Sequence, residues 1–177
     1  MSYVNLYTQT EYSLLNSSIR IKDLPKAAKE MGYEALGIAD NNLSGVVKFY
    51  KECHNVGIKP IIGLRLELQS DYVLLYAKNN IGYVNLLKIR TIKGTKLKIS
   101  IDDIKEYLHD LVVIIPGDSN NLFFLSQQAQ YHFVLQDKSG LQAYIYYLLF
   151  EHQDLNIVIY CDYFLFSNNL LIPFAFG

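Results

Sequence analysis

The stretch AAKEMGYEALGIADNN (Ala27–Asn42) decides how the whole sequence is interpreted. It completes a segment, Asp23–Met31, whose apolar residues have the i, i+3, i+4, i+7 spacing of one helix face. Those residues are Leu24, Ala27, Ala28 and Met31. Gly32 suits the position after a helix end, and Ala35–Ala39 is apolar throughout, as in a buried strand. A helix that runs into a buried strand predicts an α/β fold.

The same alternation continues along the chain. Further helices are predicted over Ser44–Val56, Asn79–Ile92, Ile101–His109, Leu122–Ala129 and Leu141–Leu149. Further strands are predicted over Tyr3–Tyr7, Ile58–Leu68, Tyr72–Ala77, Leu111–Ile115, His132–Leu135 and Ile157–Tyr160. This alternation predicts parallel βαβ units, either in a (β/α) barrel or in an open doubly wound sheet. No glycine-rich phosphate motif follows the first strand, which disfavours dinucleotide binding.

Composition indicates one folded domain. The chain has 177 residues, of which 51% are hydrophobic, and its formal net charge is −1. These values disfavour a disordered chain and a globally basic nucleic-acid binder. Residues 79–101 nevertheless contain five cations and no acid, namely Lys88, Arg90, Lys93, Lys96 and Lys98. This basic segment is either a set of contacts to nucleic-acid phosphates or a solvated helix end.

The cysteines and the hydropathy pattern indicate a cytoplasmic protein. Cys53 and Cys161 lie in apolar, periodic segments, as expected for reduced and buried thiols. The N-terminus lacks the basic and apolar regions of a signal peptide. Uninterrupted apolar runs are much shorter than the roughly 20 residues that a membrane-spanning helix needs. We therefore expect no contact with a membrane.

The segment TEYSLLNSSIRIKDL (Thr10–Leu24) resembles the start of the PHP (polymerase and histidinol phosphatase) domain of bacterial DNA polymerase III alpha subunits of the DnaE type. The resemblance is strongest to subunits from low-GC Gram-positive bacteria. It continues through AAKEMGYEALGIADNN, GVVKFYKECHNVGIKPIIGL (Gly45–Leu64) and VLLYAKNNIGYVNLLKI (Val73–Ile89). The resemblance implies a distorted (β/α)7 TIM-like barrel, incomplete here. One PHP-like domain would span residues 1–177, with family motifs in residues 3–95 and the truncated remainder of the barrel in 96–177.

The resemblance also implies where a divalent metal site would lie. In active relatives, zinc or manganese is held by a His-x-His pair, by a Thr-Asp-His motif and by a Glu after Ile-Ile-Gly. The corresponding residues here are Tyr7 and Gln9, Asp40 and Asn41, and Arg65. Tyr72 stands where many relatives have His. Because Asp40 alone keeps a ligand-type side chain, we expect no bound metal, no other cofactor and no catalytic residue.

Two hypotheses concern the side chains that remain at these positions. Asp40 is either a residual ligand or a capping group for the turn that follows the strand. Arg65 is either unrelated to Asp40 or pairs with it in place of a metal ion. The histidines, which are His54, His109, His132 and His152, are far from one another in the sequence and are interpreted as surface or helix-end residues.

The functional expectation follows from the resemblance. The parent enzyme would be a DNA-directed DNA polymerase that acts in replication, and this chain would be its N-terminal PHP portion. Its role would be architectural, with the rest of the DNA polymerase III alpha chain and the replisome as partners and DNA contacted only indirectly. The alternatives are a stand-alone metal-dependent phosphoesterase or nuclease of the PHP superfamily, and an inactive gene fragment.

Overall fold

The computed structural model describes residues 4–68, 72–115 and 132–135. These ranges contain three α-helices, which are α1 (Leu24–Glu30), α2 (Val46–Val56) and α3 (Asn80–Thr95). They also contain five strands, which are β1 (Ala35–Asp40), β2 (Lys59–Glu67), β3 (Tyr72–Ala77), β4 (Leu111–Ile115) and β5 (His132–Leu135). The predicted helix Leu122–Ala129, the helix Leu141–Leu149 and the strand Ile157–Tyr160 lie outside the described residues, as does most of the segment 96–177.

Local sequence signals account for the helix ends. Gly32 and Gly57 follow α1 and α2 with φ values of +82° and +69°, in the left-handed region that glycine adopts without a steric penalty. The Asn79 side chain accepts a 3.0 Å hydrogen bond from the Gly82 N–H and caps the start of α3. These three helices and strands β1 to β5 are confirmed where the sequence predicted them, with boundary shifts of a few residues.

Two predicted elements take a different form. The predicted helix Ile101–His109 is wrong, because the chain forms two 3₁₀ turns there, at Ile101–Asp103 and Lys105–Tyr107. Ile101 and Ile104 are both buried, and this three-residue spacing suits the 3₁₀ repeat. The predicted first strand is an extended segment, residues 4–9, joined to β1 by one isolated parallel bridge between Asn5 and Leu36.

The sheet has the order β1-β2-β3-β4-β5 and is mixed in direction. β1 pairs with β2 in parallel, and β4 pairs with β5 in parallel. β3 is antiparallel to both β2 and β4. The all-parallel arrangement predicted from the sequence is therefore wrong at the centre of the sheet. Only residues 68–71 connect β2 to β3, and a parallel crossover needs a dozen or more residues.

One hydrogen bond shows that this sheet is strongly curved. The Tyr76 hydroxyl, on β3, donates a 2.8 Å bond to the Leu6 carbonyl oxygen, in the segment that lies beside β1. In a flat sheet with strands about 4.8 Å apart, three strand positions would separate these groups by about 14 Å, beyond a tyrosine's reach. Gly63 lies under the Tyr76 ring, and the absence of a side chain there leaves room for it.

The helices lie on the other face of the sheet from Tyr76. α2 buries Phe49 and Cys53 against Leu36 and Ile38 of β1. Leu86 and Ile89 of α3 are fully buried in a second apolar cluster, which includes the sheet residues Leu64, Leu75 and Val113. The described chain is thus a mixed α/β domain with a curved sheet, which agrees with the α/β fold class. Closure into a (β/α)7 barrel remains a prediction. None of the helices in the described residues is both long enough and apolar enough to cross a membrane.

Candidate site at the carboxyl ends of the strands

The six residues that the sequence assigned to the former metal site lie at one edge of the sheet. Tyr7 and Gln9 belong to the extended segment, and Asp40 and Asn41 lie at the carboxyl end of β1. Arg65 is near the carboxyl end of the parallel strand β2, and Tyr72 begins the antiparallel strand β3. The strand directions therefore bring all six to the same edge. They form two groups with different partners.

The first group is centred on Asp40, which is 2% exposed. Its Oδ1 accepts hydrogen bonds from the Thr10 N–H, at 2.6 Å, and from the Ser13 hydroxyl, at 2.7 Å. Its Oδ2 accepts a 2.6 Å bond from the Thr10 hydroxyl. Three short bonds to a buried carboxylate are strong, because the acceptor is charged. Asp40 thus caps a turn, at residues 10–13, but this is not the turn after its own strand that the sequence indicated.

Amide side chains continue this group toward solvent. Gln9 Nε2 donates to Asn41 Oδ1 at 3.4 Å, and Asn42 Nδ2 donates to the Tyr12 carbonyl at 2.7 Å. The Ser17 hydroxyl donates to the Gln9 carbonyl at 2.7 Å. The first two bonds tie the loop that follows the extended segment to the loop that follows β1, and the third lies within the first loop. Gln9 and Asn41 therefore have structural partners where the resemblance places metal-binding histidines.

The second group is centred on Arg65. Its guanidinium forms an ion pair with Glu67, and its Cζ lies 4.2 Å from the centre of the Tyr72 ring. Arg65 also lies close enough to Tyr7 to lower the pKa of its hydroxyl by charge and by hydrogen bonding. Glu67 and Tyr72 are direct cross-strand partners in the antiparallel pairing of β2 with β3. The four residues therefore join three segments of the chain.

The hypothesis that Arg65 pairs with Asp40 is wrong. Asp40 is in register with Leu64 of β2, and successive side chains of a strand point to opposite faces. Arg65 therefore projects from the other face of the sheet and reaches Glu67 and Tyr72. The partners of the Asp40 carboxylate are Thr10 and Ser13.

Burial and charge shift the pKa values of two neighbouring groups. Burial raises the pKa of Tyr7 to about 12, although the adjacent Arg65 charge acts in the opposite direction. Burial lowers the pKa of Lys93, on α3, with smaller contributions from Glu67, which raises it, and from the Arg90 and Arg65 charges, which lower it. Lys93 thus lies within electrostatic range of the Arg65 group.

This arrangement does not fit a divalent metal. Asp40 is the one carboxylate among the six positions, and both its oxygens already accept protein hydrogen bonds. A permanent guanidinium charge lies at the position where the resemblance places a ligand, and it would repel a divalent cation. Across residues 4–68, 72–115 and 132–135, no cluster of three or more His, Cys, Asp or Glu side chains could hold a metal ion.

The described histidine side chains lie elsewhere. His54 is exposed on α2, and its Nε2 is 3.1 Å from the Tyr50 hydroxyl. His109 is exposed, and its Nδ1 is 2.9 Å from the Glu106 carbonyl oxygen. Both match the surface interpretation. The His132 side chain and all of His152 lie outside the description.

The five cations of the basic segment have different surroundings. Lys88 lies over the Tyr107 ring, with its Nζ 5.4 Å from the ring centre, and Lys96 forms an ion pair with Asp103. Lys93 is near Glu67, as described above, while Arg90 is half-buried and Lys98 is exposed. Other side chains of the same chain therefore contact part of the basic segment. The predicted contact with nucleic acid stays a prediction.

Sequence reasoning missed Thr10, Ser13 and Glu67. Thr10 and Ser13 lie in the quoted segment TEYSLLNSSIRIKDL, but nothing local in the sequence connects them to Asp40, about 30 residues away. Glu67 was detectable in principle. It lies two residues after Arg65 in a predicted strand, so the two side chains had to lie on one face.

Comparisons with known proteins identify relatives of this chain. A family model described as "PHP domain" matches residues 5–122. DNA polymerase III subunit alpha of Bacillus subtilis (strain 168) is 37% identical over 128 residues, which cover 67% of this chain and 12% of that protein. The subunit of Halalkalibacterium halodurans is 38% identical over 127 residues, or 66% of this chain and 11% of the relative. The subunit of Borreliella burgdorferi is 34% identical over 131 residues, or 62% and 11%. The matches thus span about an eighth or less of each relative's length.

Proposed function

Because the chain belongs to the PHP domain family, we propose that it is a structural domain of a DNA polymerase III alpha subunit and has no catalytic centre of its own. Its partner in this role is the remainder of a polymerase alpha chain, within the replisome. Contact with DNA is indirect. The whole protein's activity, addition of deoxynucleotides to a primer, belongs to the much larger part of the relatives that this chain does not match.

One observation carries the proposal. At the edge where the resemblance places a hydrolytic metal site, the side chains bind one another and stabilise the fold. Asp40 is saturated by Thr10 and Ser13, and Arg65 brings a positive charge into the same edge. A site of this composition has no group that could activate a water molecule with a metal ion.

A hydrolysis assay tests the absence of a catalytic centre. The purified chain is incubated with a chromogenic phosphate monoester and, separately, with end-labelled single-stranded DNA, in the presence of Mn²⁺ or Zn²⁺. We expect no turnover above that of the metal alone. Turnover that disappears in Asp40→Ala but persists in the matched surface variant Asp23→Ala would overturn the proposal in favour of a metal-dependent phosphoesterase or nuclease.

A reconstitution assay tests the structural role. A Bacillus subtilis DNA polymerase III alpha protein from which its own PHP segment has been deleted is mixed with this chain, and primer extension and co-elution are measured. We expect the chain alone to extend no primer and the mixture to recover extension and to elute as a complex. A cooperative unfolding transition of the chain, without complex formation or recovery, would contradict the scaffold role. A chain that aggregates without any folding transition would instead favour an inactive gene fragment.

A further inference from the structure

The Arg65 group is built around one cation that joins three segments of the chain. Arg65 and Glu67 lie two residues apart on β2, Tyr72 begins β3, and Tyr7 belongs to the extended segment beside β1. Tyr7 must cross the end of β1 to reach Arg65.

Because the charge of Arg65 is largely removed from water, it needs partners that compensate for the lost hydration. The Arg65 side chain is 17% exposed, and a charge so far removed from water is costly without partners. The group supplies three kinds of partner, which are the Glu67 carboxylate, the face of the Tyr72 ring and the Tyr7 hydroxyl. Arginine suits such a position, because its planar guanidinium stays protonated, stacks on aromatic rings and donates in several directions at once.

Arg65 itself stands at a position where the resemblance to active PHP domains places a metal ligand. A metal ion bound at such an edge would have two effects. It would activate a water molecule for hydrolysis, and it would hold the strand ends together. The Arg65 group can do only the second, because a guanidinium offers no open coordination position and activates no water.

We propose that Arg65 replaces a metal ion as the cation that cross-links the extended segment, β2 and β3, so that the stability of this edge is independent of metal. The inference does not depend on the proposed scaffold function, because it concerns the chain by itself. It differs from an ordinary surface ion pair, which contributes little to stability when its partners are exposed. Here Glu67 is 54% exposed, and the buried Tyr7 and the Tyr72 ring supply the remaining contacts.

The experiment is thermal unfolding of the 177-residue chain, followed by circular dichroism. The variants are Arg65→Met, which removes the charge and keeps an extended apolar side chain, and Arg65→Lys, which keeps the charge and loses the planar contacts. The matched control is Arg20→Met, at an exposed arginine outside the group. Each protein is measured with excess EDTA, with Zn²⁺ and with Mn²⁺.

We expect Arg65→Met to lower the Tm by about 4–8 °C, Arg65→Lys to lower it by roughly half as much, and Arg20→Met to leave it unchanged. EDTA, Zn²⁺ and Mn²⁺ should not change the wild-type Tm. If Arg65→Met matches Arg20→Met, or if EDTA lowers the wild-type Tm and either metal restores it, the proposal is wrong. If Arg65→Met does not fold, the Tm is measured instead for the milder substitutions Glu67→Gln and Tyr72→Leu, alone and combined. Each should lower the Tm, and their combined effect should be less than additive, whereas additive effects would show that the group does not act as a unit.

Discussion

The Ser13 hydroxyl bridges two consecutive residues at the end of β1. It donates a 2.7 Å hydrogen bond to the Asp40 carboxylate and accepts a 3.1 Å bond from the Asn41 N–H. Asp40 and Asn41 thus have their positions fixed by a turn about 30 residues earlier in the chain. The strand end is consequently organised by hydroxyl and amide groups.

The first prediction concerns Asp40→Asn. The substitution keeps the side-chain volume and can leave an oxygen facing Thr10 N–H and Ser13, but the Thr10 hydroxyl must then accept from the new NH₂ group. The loss of the negative charge that strengthens three buried hydrogen bonds should lower the free energy of unfolding by about 2 kcal/mol. Urea denaturation measures this loss.

The control for this prediction is Asp23→Asn. Asp23 is exposed before α1, and its side chain makes no capping hydrogen bond. Its substitution should change the free energy of unfolding by less than about 0.5 kcal/mol. Equal effects of the two substitutions would show that the Asp40 contacts do not stabilise the fold.

The second prediction concerns Gly63→Ala. A Cβ at this position would lie 2.5 Å from Cδ1 of Tyr76. The Tyr76 ring is fully buried, and its hydroxyl donates a hydrogen bond to the Leu6 carbonyl oxygen. Overpacking of this kind should cost about 1–3 kcal/mol in the free energy of unfolding. The near-ultraviolet circular dichroism of the tyrosines should change as the ring shifts.

Gly94→Ala is the opposite case and serves as the control. Gly94 is exposed on α3, and the nearest atom to a new Cβ is Nη1 of Arg90, at 3.8 Å. Because alanine is the better helix former, this change should stabilise the chain by up to about 1 kcal/mol. A stabilising Gly63→Ala would contradict the tight packing of Tyr76.

The sequence predicted which segments would be helices and strands better than it predicted how they pair. The α1–β1 and α2–β2 units could be predicted because periodic apolar residues and the two left-handed glycines, Gly32 and Gly57, are local signals. The antiparallel β2–β3 pairing was missed, because the expectation of βαβ units outweighed the short connection at residues 68–71. The Asp40 and Arg65 partners were missed for another reason. The partners of Asp40 come from a distant loop, and the partners of Arg65 depend on the face from which it projects.

The third prediction concerns alkaline pH. The pKa of Tyr7 is raised from 10.0 to about 12, so the folded chain holds this proton more tightly than the unfolded chain does. The contribution of Tyr7 to the free energy of unfolding is complete below pH 10 and is lost as the pH rises toward 12. Stability should therefore fall across this interval. Tyr76 and Cys53, whose pKa values are also raised by burial, act in the same direction.

The variant Tyr7→Phe isolates the contribution of Tyr7 to the loss of stability at alkaline pH. Phenylalanine cannot ionise, so the free energy of unfolding should decline less steeply above pH 10 in this variant than in the wild type. Tyr50→Phe, at a half-exposed tyrosine on α2, is the control and should follow the wild-type curve. The pH dependence of urea denaturation measures both, and identical slopes in all three proteins would refute the assignment.

The fourth prediction concerns Asp103, at the first 3₁₀ turn. Its pKa is lowered from 3.8 to about 2, principally by the side-chain hydrogen bond from Lys96 and then by bonds from the backbone and hydroxyl of Ser100. A lowered pKa stabilises the fold above the ordinary value of 3.8, and this contribution is lost as the pH falls toward 2.

In Lys96→Met the pKa of Asp103 should rise but stay below 3.8, because the Ser100 bonds remain. Titration of the Asp103 carboxyl carbon by NMR measures it, with Lys98→Met as the control at an exposed lysine two residues away. If the pKa of Asp103 is the same in wild type and in Lys96→Met, then solvent screens the ion pair completely and the turn is held by the Ser100–Asp103 capping box alone.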